Sequence, residues 1–509
     1  MNFSKRTLIA LGLGLTFSAC SVSDKVSSTS PQNNFEVTSA FYQSLIKTDI
    51  ANKAMLNLFF TNMPKGGDLH NHYTGTIYAE TYLDWVKAKG WFIDSCTFTI
   101  LEEAAAADGC TALTVDELVE NGTLYGELMT LWSDKDYHNH YHDQVAPDQN
   151  FFNTFGYFGP VSNEYMADGL TILKERAIAE NVNYIETMLS SVGISGKTII
   201  SNPDAVNSQL KAANTQAEVD VILDEISTFY LNNSEFKAEV LAFVDMAETV
   251  HAGIDDEQFT MRFQTYGVRV TDPLQVFTDL FSGYLSAEAS DIIVGVNIVA
   301  PENNAVALED YTLHMQMYNY LLRKYPSVHR ALHAGELTIG MVRPKDLLFH
   351  IDQALDIAQA QRIGHGVDIA FESKSIDLLG KLKQNSVIEI NLTSNQFILG
   401  VEGKDHPYLI YSSYGVPLVI STDDSGVSRN NLSNEYMLLA TRYQPSYDKI
   451  KEYVYNSIRY SFLDEEDKKM QMDLLDIRFT EFEKKIVQLQ NDSAPKDGLM
   501  ELVKHFKAN

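Results

Sequence analysis

His70 and His72 stand two residues apart in the run Met63-Pro64-Lys65-Gly66-Gly67-Asp68-Leu69-His70-Asn71-His72. In an extended strand, residues i and i+2 project from one face, so both imidazoles leave the same side at the strand's C-terminal end. Three later stretches carry matching chemistry: His333-Ala334-Gly335-Glu336, Arg362-Ile363-Gly364-His365-Gly366 and Ser421-Thr422-Asp423-Asp424. Three of these imidazoles and one carboxylate suit a single Zn²⁺. A water in the remaining position would have its pKa lowered toward ~7. Glu336 is not needed as a ligand, so it can keep a proton and donate it. His365 is open to two readings, a further ligand or a neighbour that orients the activated water. Each motif alone is weak. A lone His-x-His fits buried histidines bonded to backbone, and Ser-Thr-Asp-Asp fits a helix cap. Joint placement carries the metal reading.

That placement depends on the elements around the motifs. Apolar strand candidates lie at Asp68–His72, Val182–Met188, Phe259–Gly267, Asp291–Val299, Val328–His333, Arg362–Gly366, Val387–Leu392 and Pro417–Thr422. Helical periodicity separates most of them, at Leu170–Ala179, Leu274–Leu285, Tyr311–Tyr325, Pro344–Gln359 and Ser375–Gln384, and 236–250 is also assigned to a helix. Apolar strands alternating with amphipathic helices imply a parallel sheet covered on both faces. Eight such units close into a barrel whose strand C-termini share one rim, and His70, His72, His333, His365, Asp423 and Asp424 all fall there. The expected fold is therefore α/β, a (β/α)₈ TIM barrel. It has an N-terminal helical extension over 41–60, an insertion of about 91–150 after strand 1, and C-terminal helices over 430–509. The insertion shows no regular repeat, and its cluster His138-Asn139-His140-Tyr141-His142 reads as a solvated loop in polar surroundings.

The chain has 509 residues, 45% of them hydrophobic, enough for a large core. Barrels of this kind run as one unit, so 41–509 is read as a single domain. A formal net charge of −29 repels phosphate backbones and argues against nucleic-acid partners. Residues 1–19 read as a signal peptide, with Lys5 and Arg6 before an apolar run, Leu8–Phe17, too short to span a bilayer. Ser18-Ala19-Cys20 resembles a bacterial lipoprotein signal, which implies lipidation of Cys20, and Ser21 then favours the outer membrane. Residues 20–40, rich in Ser, Thr and Asn, read as a flexible tether. The expected membrane contact is the lipid anchor alone. Export leaves Cys96 and Cys110 as a plausible disulfide.

Together the motifs resemble those of the adenosine deaminase family of amidohydrolase barrels. Met-Pro-Lys-Gly-Gly-Asp-Leu-His-Asn-His is similar to its opening motif, His-Ala-Gly-Glu, Gly-His-Gly and Ser-Thr-Asp-Asp follow in its order, and Thr393-Ser394-Asn395 resembles its strand-7 signature. The resemblance covers roughly residues 60–470, and the extension, insertion and export resemble the secreted growth-factor branch. It implies that His70, His72, His333 and Asp423 bind one Zn²⁺ per chain. Glu336 would protonate purine N1, and His365 and Asp423 would help activate the water that attacks C6. Asp424 would bond N7, Ala300 would offer its N–H to N3, and His72 and Thr74 would also face the substrate. The implied reaction converts adenosine, and 2′-deoxyadenosine, to inosine and ammonia, the partner being a small purine nucleoside. Thr74 stands where many members carry an acidic residue near the ribose, Ala300 replaces a usual Gly, and Met188 a frequent Arg. Adenine or an N6-substituted aminopurine is the alternative substrate. Two-metal amidohydrolases bridged by a strand-4 lysine are disfavoured, because Val294-Gly295-Val296-Asn297 has none. The alternative of another class is a surface-binding protein that uses the insertion.

Overall fold

The structure, a computed structural model, describes residues 30–47, 51–135, 137 and 145–492. Eight parallel strands form one sheet: β1 Gly66–His72, β2 Val182–Met188, β3 Thr260–Val268, β4 Ile293–Val299, β5 His329–Ala334, β6 Arg362–His365, β7 Val387–Ile390 and β8 Leu418–Ile420. The sheet closes on itself just beyond β8. There Asp423 N–H donates to the His70 carbonyl at 2.9 Å, and His72 N–H donates to the Asp423 carbonyl at 3.3 Å. The strands read as apolar runs because helices cover their outer face and side chains fill the interior. The expected (β/α)₈ architecture is what forms.

Among the exceptions inside the barrel are charged groups that pair with one another. Buried Arg362 binds Glu186 at 2.5 Å and Glu389 at 2.7 Å, and its guanidinium lies 3.9 Å from the Phe462 ring centre. A charge taken out of water this completely needs such partners. Arg362 therefore ties β2, β6 and β7 together below the site.

Helices Pro273–Glu288 and Ala305–Lys324 link β3 to β4 and β4 to β5. The first starts on an Asp272 cap with Pro273 in its first turn, where the missing N–H costs nothing. The C-terminal helices Leu432–Tyr443, Tyr447–Arg459 and Glu465–Asp492 close the outside, as expected. The stretch 236–250 lies in the helix Ser234–His251.

Three expectations need correction. The span read as a tether includes a helix, Pro31–Ile46, capped by Ser30 and started by Pro31. Its Tyr42 packs against Phe59, Phe60 and Tyr447, so tertiary contact overrides a polar composition. The helix expected over 344–359 divides into a 3₁₀ turn, Pro344–Leu347, and a short helix, His350–Asp356, because Phe349 leaves helical geometry at φ −155°. The insertion has regular structure. Phe92–Asp94, Ile100–Leu101 and Ala112–Leu113 form a three-stranded antiparallel sheet, with strands too short to show alternation. Cys96 and Cys110 are disulfide-bonded beside it, and closing that loop contributes up to about 3 kcal/mol in the chain-entropy model. Cys20 and the cluster His138–His142 lie outside the described residues. Among the described residues, no helix is long and apolar enough to cross a membrane.

Candidate metal centre

The rim of the barrel gathers the residues singled out above. His70 and His72 come from the end of β1, His333 from the end of β5, and Asp423 follows β8. The Nε2 atoms of His70 and His333 lie 3.0 Å apart, and those of His72 and His333 lie 3.2 Å apart. Asp423 Oδ1 is 3.4 Å from His70 Nε2 and 3.3 Å from His72 Nε2. Ligands about 2.0–2.1 Å from a tetrahedral zinc sit roughly 3.3–3.4 Å from one another, so the four donor atoms have the spacing of a coordination shell.

Neighbouring side chains set which nitrogen faces inward. His70 Nδ1 is 2.7 Å from Glu389 Oε2, and His333 Nδ1 is 3.0 Å from Asn297 Oδ1. Both acceptors favour the ring proton on Nδ1 and turn Nε2 toward the centre. Burial first, then the adjoining His70, His72 and His365, push His333 well below the usual imidazole range, so it is a neutral donor. Burial opposes a charge on Asp423, but His70, His72 and His365 outweigh that and hold its carboxylate well below the usual range. Gly364 leaves room for this packing, since a Cβ there would lie 2.6 Å from the His70 ring.

Asp423 and His365 both adopt positive φ, +60° and +68°. Strained backbone at the two strand ends aims their side chains at a common point. Asp423 Oδ2 accepts from Ser394 Oγ at 2.7 Å and lies 3.7 Å from His365 Nε2. His365 therefore stands beside the four converging atoms, in a second group with Glu336 and Asp423.

Above these residues is a cavity of about 310 Å³. Its wall includes His72, Thr74, Ala300, Glu336, His365 and Asp424. Phe151, Phe152 and Phe155 of the helix Pro147–Ser162 close another side. Among the described residues, the cavity wall carries no Lys or Arg. Burial, then Asp423, raise Glu336 to about 8. Burial, then Asp423, also raise Asp424 well above its ordinary range, and its Oδ1 is buried without a partner. Two carboxyl groups whose ionisation is opposed by burial and by Asp423 thus face one small cavity. Ala300 reaches the wall at φ +81°, a conformation glycine adopts more readily.

Several supporting residues were missed in the sequence. Glu302 accepts from the N–H groups of Gly335 at 3.1 Å and Glu336 at 2.8 Å, fixing the loop that carries the candidate acid. Glu389 and Arg362 lie inside otherwise apolar strands, which was the available signal. Asn297 occupies the strand that carries the bridging lysine in two-metal amidohydrolases, and its amide here orients His333.

The family profile for adenosine deaminase matches residues 246–477. An adenosine deaminase of Clostridium kluyveri is 32% identical over 149 residues, 29% of this chain and 39% of that enzyme. The matched stretch thus spans well under half of that relative. A solved Arabidopsis N6-mAMP deaminase is similar in fold at TM-score 0.54 and 19% identity, covering 82% of this chain and 99% of its own. A Burkholderia ambifaria amidohydrolase solved with bound Zn gives TM-score 0.51 and 15% identity, covering 88% of this chain and 99% of its own.

Proposed function

From the premise that this chain belongs to the adenosine deaminase family of the amidohydrolase superfamily, we propose that it is a zinc-dependent hydrolase that deaminates adenosine and 2′-deoxyadenosine to inosine-type products. One observation carries the reading: four metal-donor atoms converge beneath a cavity walled by the carboxyl groups of Glu336 and Asp424. A bound Zn²⁺ would act as a Lewis acid, bringing the pKa of a water toward ~7. The chain's own residues supply the rest. Glu336 holds a proton and delivers it to N1, which makes C6 electrophilic. The protonated Asp424 carboxyl donates its O–H to N7, and Asp423 Oδ2 and His365 orient the attacking water. Phe151, Phe152 and Phe155 exclude bulk water and offer faces for the purine.

The cavity chemistry also speaks to substrate class. A nucleotide would bring a dianionic phosphate, and among the described residues the wall has no Lys or Arg to pair with it. Burying an unpaired charge is expensive, so a nucleoside or base is favoured over AMP or N6-methyl-AMP. We expect kcat/KM for AMP to fall at least about 100-fold below that for adenosine. Assaying adenosine, deoxyadenosine, adenine, N6-methyladenosine and AMP side by side checks this through the change in purine absorbance. Equal turnover of AMP would overturn the nucleoside assignment. Adenine remains the second reading, favoured by Thr74 on the wall where an acidic ribose partner would otherwise stand.

We also propose export and anchoring by an acyl chain on Cys20, supported by Lys5, Arg6 and the apolar run before Ser18-Ala19-Cys20. A Cys20→Ser protein should leave the membrane fraction. Its continued sedimentation with membranes would defeat the anchor.

A further inference from the structure

Asn395 and His406 have no role in the reading above, yet both are buried behind His365. We propose that they are positioning residues that fix the tautomer of His365, placing its ring proton on Nε2, the nitrogen that faces Asp423. The argument starts from the backbone. Tyr408 N–H lies 3.1 Å from His406 Nδ1, and a backbone amide can only donate, so that nitrogen carries a lone pair. Burial, with Arg442 adding to it, pushes His406 down to about 3 and keeps its ring neutral. Its single proton is then on Nε2, which donates to Asn395 Oδ1 at 3.0 Å.

An amide whose oxygen is engaged there turns its NH₂ group the other way. Asn395 Nδ2 donates to His365 Nδ1 at 2.8 Å, and Asn391 Nδ2 approaches the same nitrogen at 3.5 Å. Glu336 Oε1 is 3.7 Å from it, beyond hydrogen-bond reach. Reversing Asn395 would require His406 to accept at both ring nitrogens, which a neutral imidazole cannot do. His365 Nδ1 therefore accepts, and Nε2–H points toward Asp423 Oδ2, 3.7 Å away. Because the series begins at a main-chain N–H and runs through buried groups, solvent cannot reverse it.

The consequence is a division of labour. His365 donates to the oxygen of the attacking water, and Asp423 Oδ2 is left to accept the proton that this water gives up. This division rests on the deaminase reading; the tautomer does not.

Neutron diffraction from deuterium-exchanged crystals of the metal-loaded enzyme tests the tautomer directly. Deuterium is expected on Nε2 of both His365 and His406, with neither Nδ1 occupied. Deuterium on His365 Nδ1 would overturn the proposal. Finding the expected pattern in a protein without deaminase activity would uphold the tautomer and sink the catalytic reading instead. Asn395→Asp keeps the shape but replaces the donor by an acceptor. It should move the deuteron to Nδ1 and lower kcat by about 10–100-fold, with KM nearly constant and metal content unchanged. His406→Phe should act in the same direction, and His406→Gln, which restores a donor to Asn395, should recover much of the loss. Full kcat in both Asn395→Asp and His406→Phe would refute the role.

Discussion

His333→Ala should abolish both metal binding and turnover. Its Nε2 is the atom from which the His70 and His72 donors are measured at 3.0 and 3.2 Å, so its loss opens the shell on the side nearest both. Two imidazoles and one carboxylate remain, and the neutral ring that burial prepared for a cation is gone. If the cation acidifies the attacking water, kcat/KM falls by about 10⁴-fold, or on the order of 5.5 kcal/mol of transition-state stabilisation. Elemental analysis should give close to one zinc per wild-type chain and almost none in the variant. A chelator should reproduce the loss in the wild type, and added Zn²⁺ should restore it there. An inactive variant that still holds stoichiometric metal would assign His333 another role, and an active one would remove the proposed centre. Asp423 is a poorer choice for this test, because its Oδ2 faces Ser394 and His365 and is assigned work on the water as well.

Glu336→Gln should lower kcat by about 10²–10⁴-fold while leaving KM and metal content nearly unchanged. Glutamine preserves the size of the side chain and the backbone bond to Glu302, but it has no acidic proton to deliver. The pH profile adds a second check. Burial and Asp423 raise Glu336 to about 8, and the group acts in its protonated form. Wild-type kcat should therefore be sustained below that pH and decline as pH rises through it. Residual turnover in Glu336→Gln should lack this alkaline limb. Unimpaired kcat in the variant, or an identical alkaline limb, would show that the proton comes from elsewhere.

These tests concern a site whose residues, from His70 to Asp423, are separated by as much as 353 positions in the chain. Their legibility in sequence was uneven for physical reasons. The barrel was readable because strands buried on both faces must be apolar, and because each unit ends in a break where chemistry can be displayed. The His-x-His pair was readable because a strand repeats its side-chain direction every two residues. The insertion was not, since strands of two or three residues carry too few positions for a pattern. The helix Pro31–Ile46 was hidden by a polar composition that its contacts with Phe59, Phe60 and Tyr447 override. The aromatic wall was hidden as well, because Phe151, Phe152 and Phe155 read only as apolar residues until the fold set them above the metal donors.

By itself, the sequence determined the order of the eight barrel strands, the strand ends that carry His70, His72, His333, His365 and Asp423, and the kinds of donor atom available. Those follow from local periodicity and side-chain chemistry, which depend on near neighbours along the chain. Only the tertiary structure decided which nitrogen of each imidazole faces the centre, that burial and Asp423 oppose ionisation of Glu336 and Asp424, and that Glu389, Asn297 and Asn395 orient the histidines. Each of these is set by burial and by hydrogen-bond partners from other strands, which come together only when the sheet closes between His70 and Asp423.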